Sequence, residues 1–530
     1  MSTRARRAAL ATAVTAGALS CAAHQARFER PDIVWRVSDD AHIAEPEVDL
    51  YNRYTHYADA LVFGRVDRAL SLPDEEPARD TNALDEVPDS SWFENRVGRY
   101  ELTPDDIASG PGVRLPVLPV TVVKGKADGS NPGFVVKDAT GERYLLKLDP
   151  KVTPELQTST AAIASRLFWA LGYHVPSEDV THVGLDDIRI GKDAVYEDAL
   201  EEEHPITPAY LEGLLALGPP PKDGKYRVLA SRFLAGKPKG GFKERGVRRD
   251  DPNDTIPHEH RRSIRALRVF CAWLDHTDFN PQNTLDMYVT EGKRSYLKHH
   301  VIDFGEMLGA HALEHPWVSY AYFFDETYFF PSMFTFGLWT RPWENEPPPP
   351  FPTVGRYFPD FDPTAWKEAK PYSTFRDMTK ADAFWAAKIV LRMERPLLEA
   401  AVARGKHSDP RAARYLVDTL DARRVAVGNA WVRDTTALDR FSVEGDRLCA
   451  VDLSVVHRLA SGGVVERIES GEVVETAGIG PAGKVCVRGS RDRRYEVLTL
   501  RTRRGAEVYD PIEVHVARTP ALRVRGVVRE

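Results

Sequence analysis

The chain has 530 residues, 42% hydrophobic and 28% charged, with a formal net charge of −7 from 71 basic and 78 acidic side chains. That length exceeds a single hydrophobic core and predicts two to four domains. The mild acidity gives no general attraction to nucleic acid or an anionic membrane surface, and beyond the N-terminus no apolar run is long enough to span a bilayer.

At the N-terminus, Arg4, Arg6 and Arg7 precede an Ala-rich apolar stretch from Ala8 to Ser20, the layout of a secretory signal. It ends in Ala18-Leu19-Ser20-Cys21, which resembles a bacterial lipobox with Ala where Leu is usual. The resemblance implies a lipoprotein: cleavage after residue 20, lipidation of Cys21, and anchoring on the periplasmic side of the bacterial envelope, at the outer membrane. Ordinary signal cleavage and an uncleaved cytoplasmic start are the alternatives. Three further cysteines follow. Cys271 lies in an apolar helical run and is expected as a buried thiol. Cys449 and Cys486 fall in strand-like segments. In an exported chain they can pair; two unrelated buried thiols is the other reading. No C-x-x-C pattern points to zinc.

Residues 22–115 read as an N-terminal extension. Leu50, Tyr54, Tyr57, Leu61 and Val62 recur at helical spacing and predict an amphipathic helix over 46–70. Acidic, Pro-containing sequence follows, then Trp92 and Phe93, expected to pack on the main domain. From 116 the pattern changes to strands. Val117–Val123 leads into a flexible turn, Lys124–Gly133, which includes Gly129. Phe134–Lys137 and Tyr144–Leu148 then form a hairpin. A helix over 154–172 turns Leu156, Ile163, Leu167 and Leu171 inward. Tyr226–Phe233 is a strand leading to Ala235-Gly236. Arginines 248, 249, 261 and 262 form a dense charge cluster, read either as phosphate contacts or, preferably, as a solvated helix start. The helix Glu259–Asp275 carries Ile264, Leu267, Phe270, Cys271 and Leu274 inward.

That helix delivers the chain to His276-Thr277-Asp278-Phe279-Asn280-Pro281-Gln282-Asn283, answered about twenty residues later by Val301-Ile302-Asp303-Phe304-Gly305. An Asp, an Asn five positions on, and an Asp at a strand end are what phosphoryl transfer requires. Together they resemble the H-R-D-x-x-x-x-N and D-F-G signatures of the protein-kinase-like superfamily. The resemblance implies that Asp278 orients or deprotonates the acceptor, and that Asn283 and Asp303 hold metal. Lys147, at the end of an apolar strand just before a helix, would clamp the phosphates, with Lys137 as runner-up. Gly129 and Gly133 would let backbone N–H groups approach phosphate oxygens, and 235–236 would be the hinge. A kinase pairs its lysine with a helix Glu; mid-helix this chain offers Thr160-Ala161-Ala162, leaving Glu155 in the first turn. Protein kinases also place Lys where Asn280 stands. The arrangement is closer to the HipA-type, spore-coat-kinase and lipid-kinase-like branches.

After Asp303, an aromatic-rich run from Trp317 to Trp343 is expected to be buried in the large lobe, with a lipid-facing surface as the alternative. Four consecutive prolines make 344–352 a spacer, and helices resume over 380–404 and 409–431. From 434 short strands alternate with turns: Leu448–Val451, Val464–Ile468, Lys484–Val487, Tyr495–Arg501 and Ile512–Val516. The expected class is therefore α+β: a two-lobed kinase-like fold with an N-terminal helical extension and a small C-terminal β-sandwich-like domain. The boundaries are 1–21, 22–115, 116–236, 237–433 and 434–530. The implied activity is ATP- and Mg-dependent phosphotransfer at the envelope, to an unknown protein or small-molecule acceptor, with no nucleic-acid partner. A catalytically weak, lipid-anchored pseudokinase scaffold and a small-molecule kinase of the aminoglycoside-phosphotransferase type are the alternatives.

Overall fold

The computed structural model describes residues 28, 33–49, 63, 76–126, 131–198, 202–489, 493–518 and 521–529. The signal stretch with Cys21, most of the helix expected over 46–70, and Gly129 lie outside these residues. The chain divides into two units: Ser38–Arg79 with Asp89–Val427, and Met1–Val37 with Asp80–Pro88 and Gly428–Glu530.

The first unit opens on a seven-stranded sheet of β1 (Val120–Gly125), β2 (Gly133–Lys137), β3 (Arg143–Lys147), β4 (Glu178–Gly184), β5 (Ile188–Glu197), β6 (Glu203–Pro205) and β7 (Lys225–Arg232), in the order β4-β7-β3-β2-β1-β5-β6. Alternation along each strand decides which side faces inward. Val120, Val122, Phe134, Val136, Tyr144, Leu146, Val228 and Ala230 are buried in one cluster. Each such side chain stabilises the lobe by roughly 1.5–3 kcal/mol. In the β2–β3 pairing Gly133 stands opposite Lys147. A Cβ on Gly133 would come within 2.6 Å of the Leu146 carbonyl oxygen, so its first role is to let the two strands close.

Helix α1 (Leu156–Leu171) follows β3 and is buried on nearly every side, which its Thr- and Ala-rich sequence permits. Asp149 accepts from the Gln157 and Thr158 N–H groups at 2.8 and 2.9 Å and so caps the helix from outside it. Gly172, at φ 123°, ends it. Two features were not legible as elements in the sequence: helix α2 (Pro208–Ala216), started by Thr207 accepting from the Tyr210 N–H, and the β5–β6 pairing at the sheet edge.

The remainder of this unit begins with the short strand β8 (Lys237–Pro238). The helix expected over 259–275 is present as α3 (Arg262–Arg265) and α4 (Leu267–Leu274), separated at Ala266. The segment His276–Asn283 leads into the hairpin β9 (Thr284–Glu291) and β10 (Arg294–Val301), which pairs in full register from Thr284↔Val301 to Glu291↔Arg294. Helix α5 (Glu326–Phe334) lies in the aromatic run. Helices α6 (Lys380–Leu391), α7 (Arg395–Ala403) and α8 (Pro410–Gly428) follow. The break between α6 and α7 has a local cause: Pro396 occupies the first turn of the second helix, where a missing N–H costs nothing.

Two expectations are corrected. The arginine cluster at 248–262 is solvated only at Arg249; Arg248, Arg261 and Arg262 are buried in ion pairs, two of them internal to the cluster. Arg248 pairs with Asp286 at 3.0 Å, Arg261 with Asp254 at 2.8 Å and Arg262 with Asp382 at 2.9 Å, all with side chains less than a tenth exposed. A guanidinium is buried only with its donors matched, and each of these carboxylates supplies the match. Against this network Trp92 stacks on His299 at 3.5 Å and lies beneath Arg261 at 4.5 Å. Trp92 and Phe93 are both buried, as expected. The aromatic run is the second correction. Helix α5 buries no residue. Phe323, Phe334 and Phe336 are 69%, 74% and 94% exposed. The rings pack on one another instead, Phe324 on Phe329 at 5.2 Å and Tyr328 on Trp339 at 5.8 Å.

The second unit is a β-sandwich. One sheet holds β11 (Leu438–Glu444), β12 (Arg447–Asp452) and β15 (Lys484–Arg488). The other holds β13 (Val464–Glu469), β14 (Glu472–Gly478), β16 (Tyr495–Arg504), β17 (Glu507–Val508), β18 (Ile512–Arg518) and β19 (Leu522–Arg529). Leu438, Leu448 and Val485 of the first meet Leu498, Val514 and Val516 of the second in one core. Cys449 and Cys486 stand directly opposite across β12 and β15 and are joined as a disulfide.

The disulfide closes a 37-residue separation, worth about 4 kcal/mol in the chain-entropy treatment. A Cys449→Ala/Cys486→Ala double variant is expected to unfold its C-terminal transition at lower denaturant by that order. Urea unfolding followed on the oxidised and reduced protein checks it; identical midpoints contradict it.

Candidate active site

Helix α4 ends at Asp275, whose backbone is left-handed at φ 55°. Its carboxylate is fixed by the Ser319 hydroxyl at 2.7 Å and the Trp366 indole N–H at 3.0 Å. The chain then turns through His276, which is fully buried with its ring edge-on to Phe168, Phe279 and Phe304. Burial lowers the imidazole pKa to about 4. Neither ring nitrogen has a hydrogen-bond partner among the described residues. His276 is thus a neutral aromatic spacer, which makes it structural.

Asn280 builds the turn that follows: its Oδ1 accepts from the Gln282 N–H at 2.9 Å and its Nδ2 donates to the Asp278 carbonyl at 2.7 Å. Pro281–Asn283 is one turn of 3-10 helix. Asn283 Nδ2 donates to the Asp278 carbonyl oxygen at 2.7 Å and to its carboxylate Oδ2 at 3.1 Å. With the amide nitrogen committed to Asp278, Oδ1 is the atom Asn283 can offer to a cation. The Ile302 N–H donates to the Asn283 carbonyl at 3.0 Å, which sets the end of β10 beside this turn and brings Asp303 into register. Phe304 stacks on Phe168 of α1 at 5.2 Å.

Asp303 itself is left-handed, φ 59°. Its carboxylate is 54% exposed and accepts from the Lys147 ammonium at 2.9 Å, although 156 positions separate the two. Lys147 holds the Asp303 carboxyl below its ordinary pKa, with Lys126 adding a smaller effect. In return, burial works against the Lys147 ammonium, but Asp303, Glu178 and Glu306 outweigh it and its pKa is raised. Lys137, by contrast, pairs with Arg143 at the other end of the hairpin. The alternative lysine is therefore set aside.

Glu155 does not partner the lysine. It stands at φ 66° just before α1, and its carboxylate accepts from the Ser408 N–H at 2.8 Å. The buried acid that acts on Lys147 is Glu178 in β4, two strands away in the sheet and on the same face. Burial raises the Glu178 pKa, and its Oε2 has no hydrogen-bond partner among the described residues. Sequence reasoning missed Glu178 because it looked in the helix. The one signal was an acid opening a strand beside the lysine strand.

Three other groups complete the site. Lys126, at the end of β1, donates to the Asn131 carbonyl at 3.0 Å and lies close enough to Asp303 to lower its pKa. Lys370 contacts the Asp278 carboxylate at 3.2 Å. Glu306 is flanked by Asp278 and Asp303; burial first, then these two charges, push its carboxyl up to about 7. Beside the hinge, Leu234, Ala235 and Gly236 line a cavity of about 660 Å³ with Tyr288, Val289 and His300.

These donors fit a hard divalent cation. Asp303 offers a half-exposed carboxylate and Asn283 a carbonyl-type oxygen, the ligand types magnesium and manganese prefer. No protein-family profile matches the chain, and no curated protein matches it. Among solved structures, the Golgi casein kinase is 10% identical over 61% of this chain and 72% of that one, TM-score 0.29. The same kinase with Mn/ADP bound is 10% identical over 60% and 76%, TM-score 0.25. The twitchin kinase region from C. elegans is 13% identical over 80% and 78%, TM-score 0.21. With TM-scores this far below 0.5, what the site can do follows from its own geometry.

Glu306 gives the site a pH signature. Its carboxyl sits at about 7 in the folded chain against 4.5 when free. Its contribution to stability is full below about 4.5 and is lost as pH rises through 7. Stability measured across that window is expected to fall, and Glu306→Gln to flatten the fall. An unchanged profile in the variant contradicts this.

Proposed function

We propose that the chain is an atypical ATP- and magnesium-dependent phosphotransferase of the protein-kinase-like type, anchored at the bacterial envelope through Cys21. One observation carries the catalytic part. Lys147 of β3 meets Asp303 at the end of β10 while Asn283 commits its amide to Asp278, so four separate positions converge in the roles phosphoryl transfer needs.

In this reading the nucleotide phosphates lie along Lys147, with Lys126 within reach. The acceptor hydroxyl approaches Asp278. Its oxygen forms a bond to the γ-phosphorus while the bond from that phosphorus to the β-bridging oxygen breaks. The electron pair leaves with the nucleoside diphosphate, and the acceptor proton passes to Asp278. When bound, a divalent ion on Asp303 and Asn283 Oδ1 neutralises phosphate charge. Asn283 and Asn280 keep the Asp278 backbone from turning. Glu178, on the same face of the sheet as Lys147, helps keep it charged.

A binding-only protein is the second reading, favoured by the two ion pairs themselves. Asp303 is held by Lys147 and Asp278 by Lys370, so both carboxylates rest neutralised. The two readings separate in one comparison. Asp303→Ala is expected to weaken Mg²⁺-dependent nucleotide binding together with transfer. Asp278→Ala is expected to keep nucleotide binding while transfer falls by about 10²–10⁴-fold. Nucleotide titration with and without Mg²⁺, alongside self-phosphorylation, reads both. Wild-type protein that binds nucleotide and transfers nothing selects the binding-only reading; no nucleotide binding with any metal removes both.

The anchoring part rests on Arg4, Arg6, Arg7 and the stretch ending at Cys21. A single acyl chain binds membranes only marginally, whereas a multiply acylated Cys holds a protein stably. Labelled palmitate is expected in the native protein and absent from Cys21→Ser. Equal labelling of both, or none in either, defeats it.

A further inference from the structure

The loop from His276 to Asn283 contains neither Lys nor Arg, and its one histidine is buried and neutral. Two positions beyond Asp278 stands Asn280, whose side chain is spent on the turn, donating to the Asp278 carbonyl and accepting from the Gln282 N–H. The loop therefore supplies no positive charge on the side where an acceptor would dock. Charge on the donor side is ample, since Lys147 and Lys126 both act on Asp303. Transfer between those sides spreads negative charge over the phosphoryl oxygens, and a site with cations on one side only would stabilise the departing end alone.

Lys370 fills that gap from 92 positions downstream of Asp278, with its ammonium 3.2 Å from the Asp278 Oδ1. Backbone bonds hold it there. The Ala369 N–H donates to the Thr277 carbonyl at 2.7 Å, one residue from Asp278, and the Ala369 carbonyl accepts from the Phe323 N–H at 2.6 Å. The Lys367 N–H reaches the Ser319 carbonyl at 3.0 Å, and the Glu368 carboxylate accepts from the Tyr372 N–H at 2.9 Å. The side chain is 20% exposed. It also faces Glu306 and His311, as its effects on both show.

We propose that Lys370 is a catalytic residue that binds the phosphoryl group in transit on the acceptor side of Asp278, opposite Lys147 and Lys126. The inference rests on the phosphotransfer reading above. Its charge balance is specific to the step. Before transfer the ammonium is paired with the Asp278 carboxylate. As the acceptor proton arrives on Asp278, that carboxylate loses its charge, while the phosphoryl group moves toward the acceptor and brings its equatorial oxygens to the ammonium. The ammonium exchanges a fading partner for an approaching one, which favours the transition state over the ground state. A cation placed this way also ties catalysis to the docking of 319–370 on the loop, since Ala369 and Lys370 arrive together.

The test needs no known acceptor. Aluminium fluoride with Mg²⁺ and ADP supplies a planar phosphoryl mimic, and ADP with Mg²⁺ alone supplies the control. Both are titrated calorimetrically into the wild-type protein, Lys370→Met and Lys370→Arg, with thermal unfolding followed in parallel. Wild-type protein is expected to hold ADP more tightly with aluminium fluoride present. In Lys370→Met that gain is expected to fall by about 10-fold or more, with ADP affinity unchanged within about twofold, and Lys370→Arg is expected to restore part of it. Equal gains in wild type and Lys370→Met overturn the proposal, as does wild-type protein that binds ADP and shows no gain at all. Loss of ADP binding together with the gain in a folded Lys370→Met overturns it too, because Lys370 would then be a ground-state nucleotide contact. Wild-type protein that binds no ADP under any metal condition instead overturns the phosphotransfer reading beneath it.

Discussion

The contact between the Lys147 ammonium and the Asp303 carboxylate fixes the geometry around it, because the largely buried ammonium needs a carboxylate beside it. Lys147 is 12% exposed, on the face of its sheet opposite to that of Leu146, and an ammonium so placed is costly if left unpaired. Asp303 is much more open, so the pair adds little to stability by itself. Its value lies in position. β3 enters the site through Lys147 and β10 through Asp303, and the register of the β9–β10 hairpin carries that placement back to Asn283. Around this joint the charges alternate: Lys126, Lys147 and Lys370 among Asp278, Asp303, Glu178 and Glu306. Burial first, and then the charges of Asp278 and Asp303, raise Glu306 toward neutrality, and a divalent cation would relieve that excess of acid.

The scaffold beneath is held by charges of a different kind. Asp286, Asp254 and Asp382 are almost fully buried, and each is matched by arginine. Asp286 also accepts from His299 Nδ1 at 2.7 Å, and Trp92 covers the group with its ring. Removing one partner of such a pair typically costs about 3–5 kcal/mol, because the other is left charged and dry. These arginines hold the segment before the loop rigid. They act on structure, whereas Lys147 and Lys370 pair with the carboxylates of the candidate site.

The sequence made the site's spine legible and left its supports hidden, for a physical reason. Asp278, Asn283 and Asp303 lie on one loop and the strand that answers it, so spacing alone brings them together. Lys147 could be read from its place at a strand end. Glu178 and Lys370 reach the site through sheet order and through a segment docked far downstream, and no local period records either. Glu155 was chosen for its position in the first turn of α1, but the left-handed residue before the helix turns it toward Ser408. Arg248 and Arg262 look solvated as letters in a string, because their carboxylates at 286 and 382 are distant in the chain. The aromatic run at 317–343 misled in the opposite sense: apolar composition predicts burial, and in α5 the rings cover each other instead. The five short strands read in the C-terminal unit were all found, since period-two alternation is a local signal.

The left-handed backbone at Asp303 narrows what this position can become. Asn, Asp and Gly occupy that region with little strain, whereas a branched or bulky residue pays for its Cβ there. A lineage that gave up the charge at this position but kept the fold would pass through Asn or Gly at 303 before any other residue. Asn would keep the hydrogen-bonding shape and discard the charge; Gly would discard both and loosen the strand end. The identity of residue 303 in a diverged copy of this chain would therefore record whether its site was first neutralised or first unfastened.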